Sequence, residues 1–389
     1  MPLLLVLGCI GLAVSFNQRV LDPLTALIAT ELNVDPHLVV MLSPAFTLPY
    51  ALVQPFLGPV GDSFGKALVL KVCIIVLTLS TIAAAIAPDY ATLLPMRLLA
   101  GLAGGGVIPA SLALIADRYP LAERQVAMSH FMVALMVGQV FASPLSAAIA
   151  QAWNWHRVLL VAAVVCVASL LLLIKYIKPR PDIPRPPFSV ARSLATYRAL
   201  LKDPRARACY ITVFFEGLCV LGFTPHIALF LKARGFGDVT EAGYVLAGVG
   251  LGGLAFTVAV KTMVRRFDPF RIMQTGGAVM GLCLITMPVV WSWQSMLVVF
   301  MINGFGFYML HSGLQTRVTE VMPEARASAV SLHAFFLFLG IASGPILFQI
   351  ASSAIGFGPT LIANGIGILV VSFLGIARLQ RETGKTALR

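Results

Sequence analysis

The sequence predicts an all-α integral membrane protein, with twelve transmembrane helices in two pseudo-symmetric bundles of six. Three observations predict it. Of 389 residues, 59% are apolar and only 11% charged, with a mean hydropathy of +0.91, whereas soluble globular chains carry about 25% charge. Runs of about 20 apolar residues, each long enough to cross the hydrocarbon as a helix, recur along the whole chain. One basic, proline-rich stretch, KPRPDIPRPPFSVARSLATYRALLKDPRARA (178–208), divides these runs six and six. Barrel strands would alternate with a period of two over about ten residues, and these runs do not.

The first run, Leu3 to Val14, could pass for a secretory leader, but it has no basic region before it and no small-residue cleavage site. It is therefore read as the start of helix 1, 3–28. Helices 2 to 6 follow at 38–61, 67–87, 91–116, 126–150 and 157–177. Residues 1–177 make the N-terminal bundle and 178–208 a cytoplasmic linker. Residues 209–389 make the C-terminal bundle with a short tail, its helices at 209–231, 241–263, 271–291, 295–318, 328–351 and 358–377.

Placing both termini and the linker in the cytoplasm puts nearly all of the 28 lysines and arginines on that side. Only Arg157, Lys232 and Arg234 fall outside, and Arg19 and Arg97 fall within helices. The positive-inside rule fixes this orientation. It also accounts for the net charge of +12, since an anionic inner leaflet attracts a basic linker; no nucleic-acid partner is needed. The six cysteines all lie inside apolar runs with no C-x-x-C pair, as small buried hydrophobes do. A shift of 203 residues aligns Gly101 with Gly304, Asp117 with Glu320, Pro120 with Pro323 and His130 with His333. Two parallel six-helix repeats with the substrate site between them are a transporter design.

GPVGDSFGK (58–66) closes helix 2 and leads into helix 3. Gly58, Gly61 and Gly65 allow another helix to approach closely. Asp62 can then meet the positive end of a neighbouring helix, and Lys66 is spaced to reach an acid. The stretch resembles the signature of the major facilitator superfamily, G-x-x-x-D-x-x-G-R/K-R/K-x-x-L, matched by Gly58, Asp62, Gly65, Lys66 and Leu70, with Ala67 departing from it. RLLAGLAGGG on helix 4 resembles the family's R-x-x-x-G-x-x-x-G pattern at Arg97, Gly101 and Gly105. The resemblance implies a cytoplasmic gate in which Asp62 engages the start of helix 11 and Lys66 pairs with Asp117. A third family pattern, G-x-x-x-G-P on helix 5, marks many proton-driven exporters. Here helix 5 reads GQVFASP, while an intact GIASGP stands on helix 11 at Gly340, Gly344 and Pro345. That departure weakens the export reading, and close packing of kinked helices explains both stretches.

Charged groups at bilayer depth are costly and mark functional positions. Helix 1 carries Ser15, Arg19, Asp22 and Thr25 at helical spacing; helix 4 carries Arg97 and Ser111; helix 7 carries Thr212, Glu216, Cys219, Phe223 and His226; helix 10 carries Tyr308, His311 and Gln315. The resemblance implies that helices 1, 4, 7 and 10 line the central cavity. Asn17, Arg19, Asp22, Arg97, Glu216, His226, Tyr308, His311 and Gln315 are the candidate substrate contacts. Asp22 and Glu216 are the candidate proton-coupling acids, since a carboxyl in apolar surroundings can take and lose a proton. Arg19 with Asp22 also fits simple mutual neutralisation, and Arg97 a structural tie to helix 1. His130 and His333 fit packing.

GVGLGG (248–253) matches G-x-G-x-x-G but lies inside an apolar helix with no preceding strand, so it is not a dinucleotide fingerprint. No Walker loop, H-E-x-x-H, Cys/His cluster or G-x-S-x-G elbow occurs. No enzyme, metal or cofactor is expected beyond a proton gradient. Helix 1, FNQRVLDPLTALIATELNV, resembles drug and metabolite exporters of the family. The expectation is a monomeric, multi-pass bacterial inner-membrane transporter that moves a small organic solute by alternating access, by proton antiport. Proton-linked uptake of a small organic anion is the alternative, and a non-transporting sensor or scaffold a further one.

Overall fold

The computed structural model describes residues 2–177, 190–322 and 325–387. Within them, twelve helices are long and apolar enough to cross a membrane, and no strand occurs. In chain order they are α1 Leu3–Glu31, α2 Pro36–Leu57, α3 Lys66–Ala85, α4 Tyr90–Arg118, α5 Val126–Ala152, α6 Trp155–Tyr176, α7 Pro204–Arg234, α8 Val239–Arg266, α9 Pro269–Val289, α10 Trp293–Val321, α11 Arg326–Ile355 and α12 Phe357–Gly384. The predicted fold class stands, with most spans within a few residues of their expected places; the last helix, expected to end at 377, continues through most of the expected tail.

The chain forms two compact units, Met1–Val190 and Ala191–Arg389. Their internal pairings repeat. In the first unit α4 packs on α2 and α3, α3 on α6, and α1 on α5 and α6. In the second, α10 packs on α8 and α9, α9 on α12, and α7 on α11 and α12. The repeat read from sequence has a physical counterpart at Gly101 and Gly304. A Cβ at Gly101 would overlap the Phe46 carbonyl of α2, and one at Gly304 the Val249 carbonyl of α8. Only glycine permits the helices to close to that distance. Pro323, part of the same alignment, lies outside the described residues.

The acids outside the spans mostly start helices. Asp89, Asp203 and Asp268 accept backbone N–H bonds at the first turns of α4, α7 and α9, and Asp238 forms a capping box with Glu241 on α8. At exposed Asp89 the Thr92 N–H donating to the carboxylate holds the group below its ordinary acidity range. The cap at Asp203 moves a boundary. The linker expected over 178–208 contains a helix, Val190–Lys202, and α7 begins at Pro204 rather than at 209. Proline at the first helical position and aspartate before it are the local signal for that start. Tyr197 and Leu200 pack the linker helix onto the second unit's core; residues 178–189 lie outside the described residues.

Two spans expected to be continuous are broken. In α1 the α-helix Pro2–Arg19 ends, a 3-10 turn runs Asp22–Leu24, and helix resumes at Thr25–Glu31. In α7 the α-helix Pro204–Glu216 passes into a π turn, Gly217–Leu221, then a 3-10 turn, Thr224–His226, before Ile227–Arg234. Pro23 and Pro225 sit at the breaks; each lacks the N–H that the preceding turn needs. The breaks fall at corresponding positions of the two repeats.

Candidate functional site

Each break gathers polar side chains inside the spans. At the α1 break, Asn17 is in the last turn of the first segment, where carbonyls lose their intrahelical donors. Arg97 of α4, 2% exposed, supplies one: Nη1 donates to the Asn17 carbonyl at 3.0 Å, and Nε reaches the Leu42 carbonyl at 3.5 Å. Its guanidinium lies 4.6 Å from the centre of the Phe46 ring. Asp22, also 2% exposed, meets Arg19 at 3.3 Å, interacts with Ser43 and feels the charge of Arg97. Two guanidinium groups, that of Arg19 half-buried, and one carboxylate thus form a single cluster with a net cationic excess.

The side chain of Asn17 points elsewhere. Its amide donates to the Ala13 carbonyl and to Cys166 Sγ of α6, and accepts from Thr81 Oγ1 of α3 at 3.1 Å. It ties three helices of the bundle together behind the ionic cluster. Phe46 and Ser43 had no signal in the sequence, because their roles come only from the approach of α2 to α4 at Gly101.

At the α7 break, Thr224 Oγ1 donates to the Leu221 carbonyl at 2.8 Å, and Asn364 of α12 donates to the Cys219 carbonyl at 3.4 Å. Glu216 stands where α-helix turns into π-helix, with no accessible side-chain surface. Its Oε2 is 2.9 Å from Nδ1 of His311 on α10; its Oε1 has no hydrogen-bond partner among the described residues. The His311 ring stacks on Phe307, with centroids 5.1 Å apart and planes 8° from parallel. His333 of α11 is also beside the ring, centroids 5.3 Å away. His333 is 2% exposed, and neither ring nitrogen has a hydrogen-bond partner among the described residues. Its repeat mate His130 is exposed on α5.

The other candidates are apart from this cluster. His226, buried in the 3-10 turn, has its ring 4.8 Å from that of Phe348. Tyr308 lies against Gly253 of α8. Gln315 is exposed one turn beyond His311. Gly340 and Gly344 of GIASGP lie against Phe214, Leu218 and Gly222, so this motif forms the contact surface for the broken part of α7. Gly138 on α5 packs against Leu12 and Ser15 of α1 in the same way. GVGLGG lies within α8, where Gly248 and Gly252 face Phe300 and Met301 of α10.

At the end of α4, Lys66 Nζ reaches both carboxylate oxygens of Asp117, at 2.8 and 2.9 Å. Gly65 between α2 and α3 has φ +95°, a conformation open to glycine and strained for other residues. The side chains at Gly58 and Asp62 lie outside the described residues, and with them the expected partner of Asp62. No group of three or more His, Cys, Asp or Glu able to hold a metal occurs among the described residues.

The family model of the Major Facilitator Superfamily matches residues 7–345 and, again, 238–387. The chain belongs to that superfamily, and it is a membrane transporter rather than an enzyme. It is similar to a multi-drug resistance efflux pump PmrA homolog of Lactococcus lactis subsp. lactis (strain IL1403), with 22% identity covering 97% of this chain and 95% of the relative. The bacillibactin exporter of Bacillus subtilis (strain 168) is 25% identical over 97% of this chain and 94% of the relative. Among solved structures, a bacterial homologue of the human lysosomal transporter Spinster superposes with a TM-score of 0.79 and 18% identity, covering 98% of this chain and 97% of the other. That likeness concerns the fold.

Proposed function

We propose that the chain exports a small organic solute by proton antiport, through alternating access, as a monomer in a bacterial inner (plasma) membrane with both termini cytoplasmic. The observation that carries the reading is the pair of broken spans, each holding ionisable groups: buried Asp22 and Arg97 with half-buried Arg19 in one, buried Glu216 with half-buried His311 in the other. Broken helices at equivalent positions of two repeats are the feature from which carrier binding sites are built. Glu216 is the coupling acid, because its one bonded oxygen and its one unbonded oxygen leave room for a proton. Asp22 is held by Arg19 and Arg97 and acts as the second candidate acid. The outward direction is supported by the efflux pump and the exporter to which the chain is similar.

Proton-linked uptake of a small organic anion is the second reading. Its support is the cationic excess at the α1 break, where a carboxylate or phosphate would find two guanidinium groups. Lys66 and Asp117, with Asp62, form the gate in either reading. The test is thermal-shift screening of organic anions against amphipathic cations, followed by transport of the best solute into proteoliposomes under an imposed pH gradient. Uptake driven by an acidic interior is the antiport result. Uptake driven by an acidic exterior overturns antiport in favour of symport.

A further inference from the structure

Glu216, His311 and His333 come from α7, α10 and α11, with ring and carboxylate in direct contact. They differ in access. The side chain of Glu216 has no accessible surface and that of His311 has 15%, while His333 is 2% exposed. His311 also heads a polar row. Gln315 and Thr319 follow it at four-residue spacing on α10, flanked by Thr316 and Glu320 and ending near Val321. Such a row on a spanning helix marks a water-facing rather than a lipid-facing strip. Of the two bonded groups, the imidazole is the one with accessible surface, and it stands at the head of that row.

We propose that His311 is the port through which Glu216 gains and loses its proton, the charge passing through the imidazole by a switch of tautomer. This rests on the reading of Glu216 as the coupling acid. The step balances. In the deprotonated pair, His311 is the Nδ1–H tautomer and donates to the ionised Glu216 Oε2. A proton from water binds the Nε2 lone pair, and the Nδ1 proton passes to Oε2 along the 2.9 Å hydrogen bond. The result is a neutral carboxylic acid donating to Nδ1 and a neutral Nε2–H imidazole. One proton has been gained, the charge of the pair has gone from −1 to zero, and the ring has not had to turn. Phe307, stacked flat on the ring, holds it in that plane.

The neighbours leave this exchange to the pair. The electrostatic interactions of Glu216 and of His333 both run to His311. On α7 the nearest titratable groups in helical register are Tyr210, whose hydroxyl donates to the Ala329 carbonyl, and Cys219. On α10 Tyr308 is turned to Gly253. On α11 Arg326 is two turns from His333, and the titratable side chains of α12 within its span, Arg378, Arg381 and Glu382, all lie in its last turns. His333 is the titratable group in ring contact with His311.

The direct experiment needs no variant and no substrate. The full-length protein, labelled with 15N in its histidine rings and held in lipid nanodiscs, is titrated by NMR, with the Glu216 carboxyl followed in parallel by infrared difference spectroscopy assigned with Glu216→Gln. The expected result is a change of His311 from Nε2–H to Nδ1–H as pH rises, with the same midpoint as the loss of the Glu216 carboxylic acid band. A His311 that keeps one tautomer throughout, or becomes imidazolium while Glu216 titrates separately, overturns the port. In His311→Phe, deuterium entry into the Glu216 carboxyl should slow by about 10²-fold, the scale of a positioned proton-transfer group; an unchanged rate overturns it as well. Neither readout uses a gradient. Proton-independent transport would thus remove the coupling assignment while leaving the port standing, and a fixed tautomer would remove the port while leaving coupling to be measured.

Discussion

Arg97→Leu is expected to destabilise the N-terminal unit by about 3–4 kcal/mol, and the contacts give the reasons. The guanidinium bond to the Asn17 carbonyl, at 3.0 Å, is a charged donor on a carbonyl at a helix break, worth about 2 kcal/mol. The approach to the Leu42 carbonyl at 3.5 Å is at the limit of bonding and adds little. The face of Phe46, 4.6 Å away in a desolvated setting, adds about 1–2 kcal/mol. Leucine also leaves Asp22 with one cationic neighbour fewer, and the total lies within the range of about 3–5 kcal/mol found when one partner of a buried charge cluster is removed. Arg97→Lys keeps the charge but cannot bond the carbonyl and cover the ring at once; it should lose about half as much. The assay is denaturant unfolding in mixed lipid–detergent micelles, followed by tryptophan fluorescence with Trp155 as the buried reporter in the same unit. If Arg97→Leu unfolds at the parent's denaturant concentration, the break in α1 does not depend on Arg97 and the reasoning fails.

Gly101→Ala and Gly304→Ala should each cost about 3 kcal/mol, because the added methyl meets a backbone carbonyl that cannot swing aside; parent-like stability in the same unfolding assay would refute the close approach. Lys66→Met should change unfolding by no more than about 1 kcal/mol, since the pair with Asp117 is partly exposed. If the pair gates transport, the swapped variant Lys66→Asp with Asp117→Lys should recover rate that either single change loses. Asp203→Ala should cost about 1 kcal/mol at neutral pH through loss of the α7 cap. Partial burial opposes ionisation of Asp203, but the Arg205 side chain and the backbone N–H donors outweigh it, so its carboxyl is held below the ordinary value. That stabilisation is full above the ordinary carboxylate pKa and fades as pH falls through the lowered one. The parent and variant thermal transitions should therefore converge only in acid, and a gap unchanged there would refute the cap.

The twelve spans were legible because hydropathy over about 20 residues is set by the bilayer and not by tertiary detail. The repeat was legible at Gly101 and Gly304 because helix contact at that distance allows one residue type. The breaks in α1 and α7 were not read, although Pro23 and Pro225 marked them, because the runs on both sides are equally apolar and their sum looks like one long helix. Asp203-Pro204 is a helix-start signal, but Arg205 and Arg207 just after it keep the apolar run from beginning before 209. The pairing of Glu216 with His311, 95 residues apart, leaves no local trace. His333 reads as packing until α11 is seen beside α10. Asn17 shares the charged stretch of α1 but turns inward to Thr81 and Cys166, a direction that spacing along one helix does not reveal.

The most direct measurement of the central claim, that carboxyls at the two breaks couple transport to protons, is made in proteoliposomes with the solute selected by thermal shift. Accumulation under a pH gradient is compared with solute exchange at equal pH on both sides. Glu216→Gln is expected to abolish the first and keep the second. Accumulation that persists at the parent rate in Glu216→Gln, and also in Glu216→Gln combined with Asp22→Asn, would contradict it.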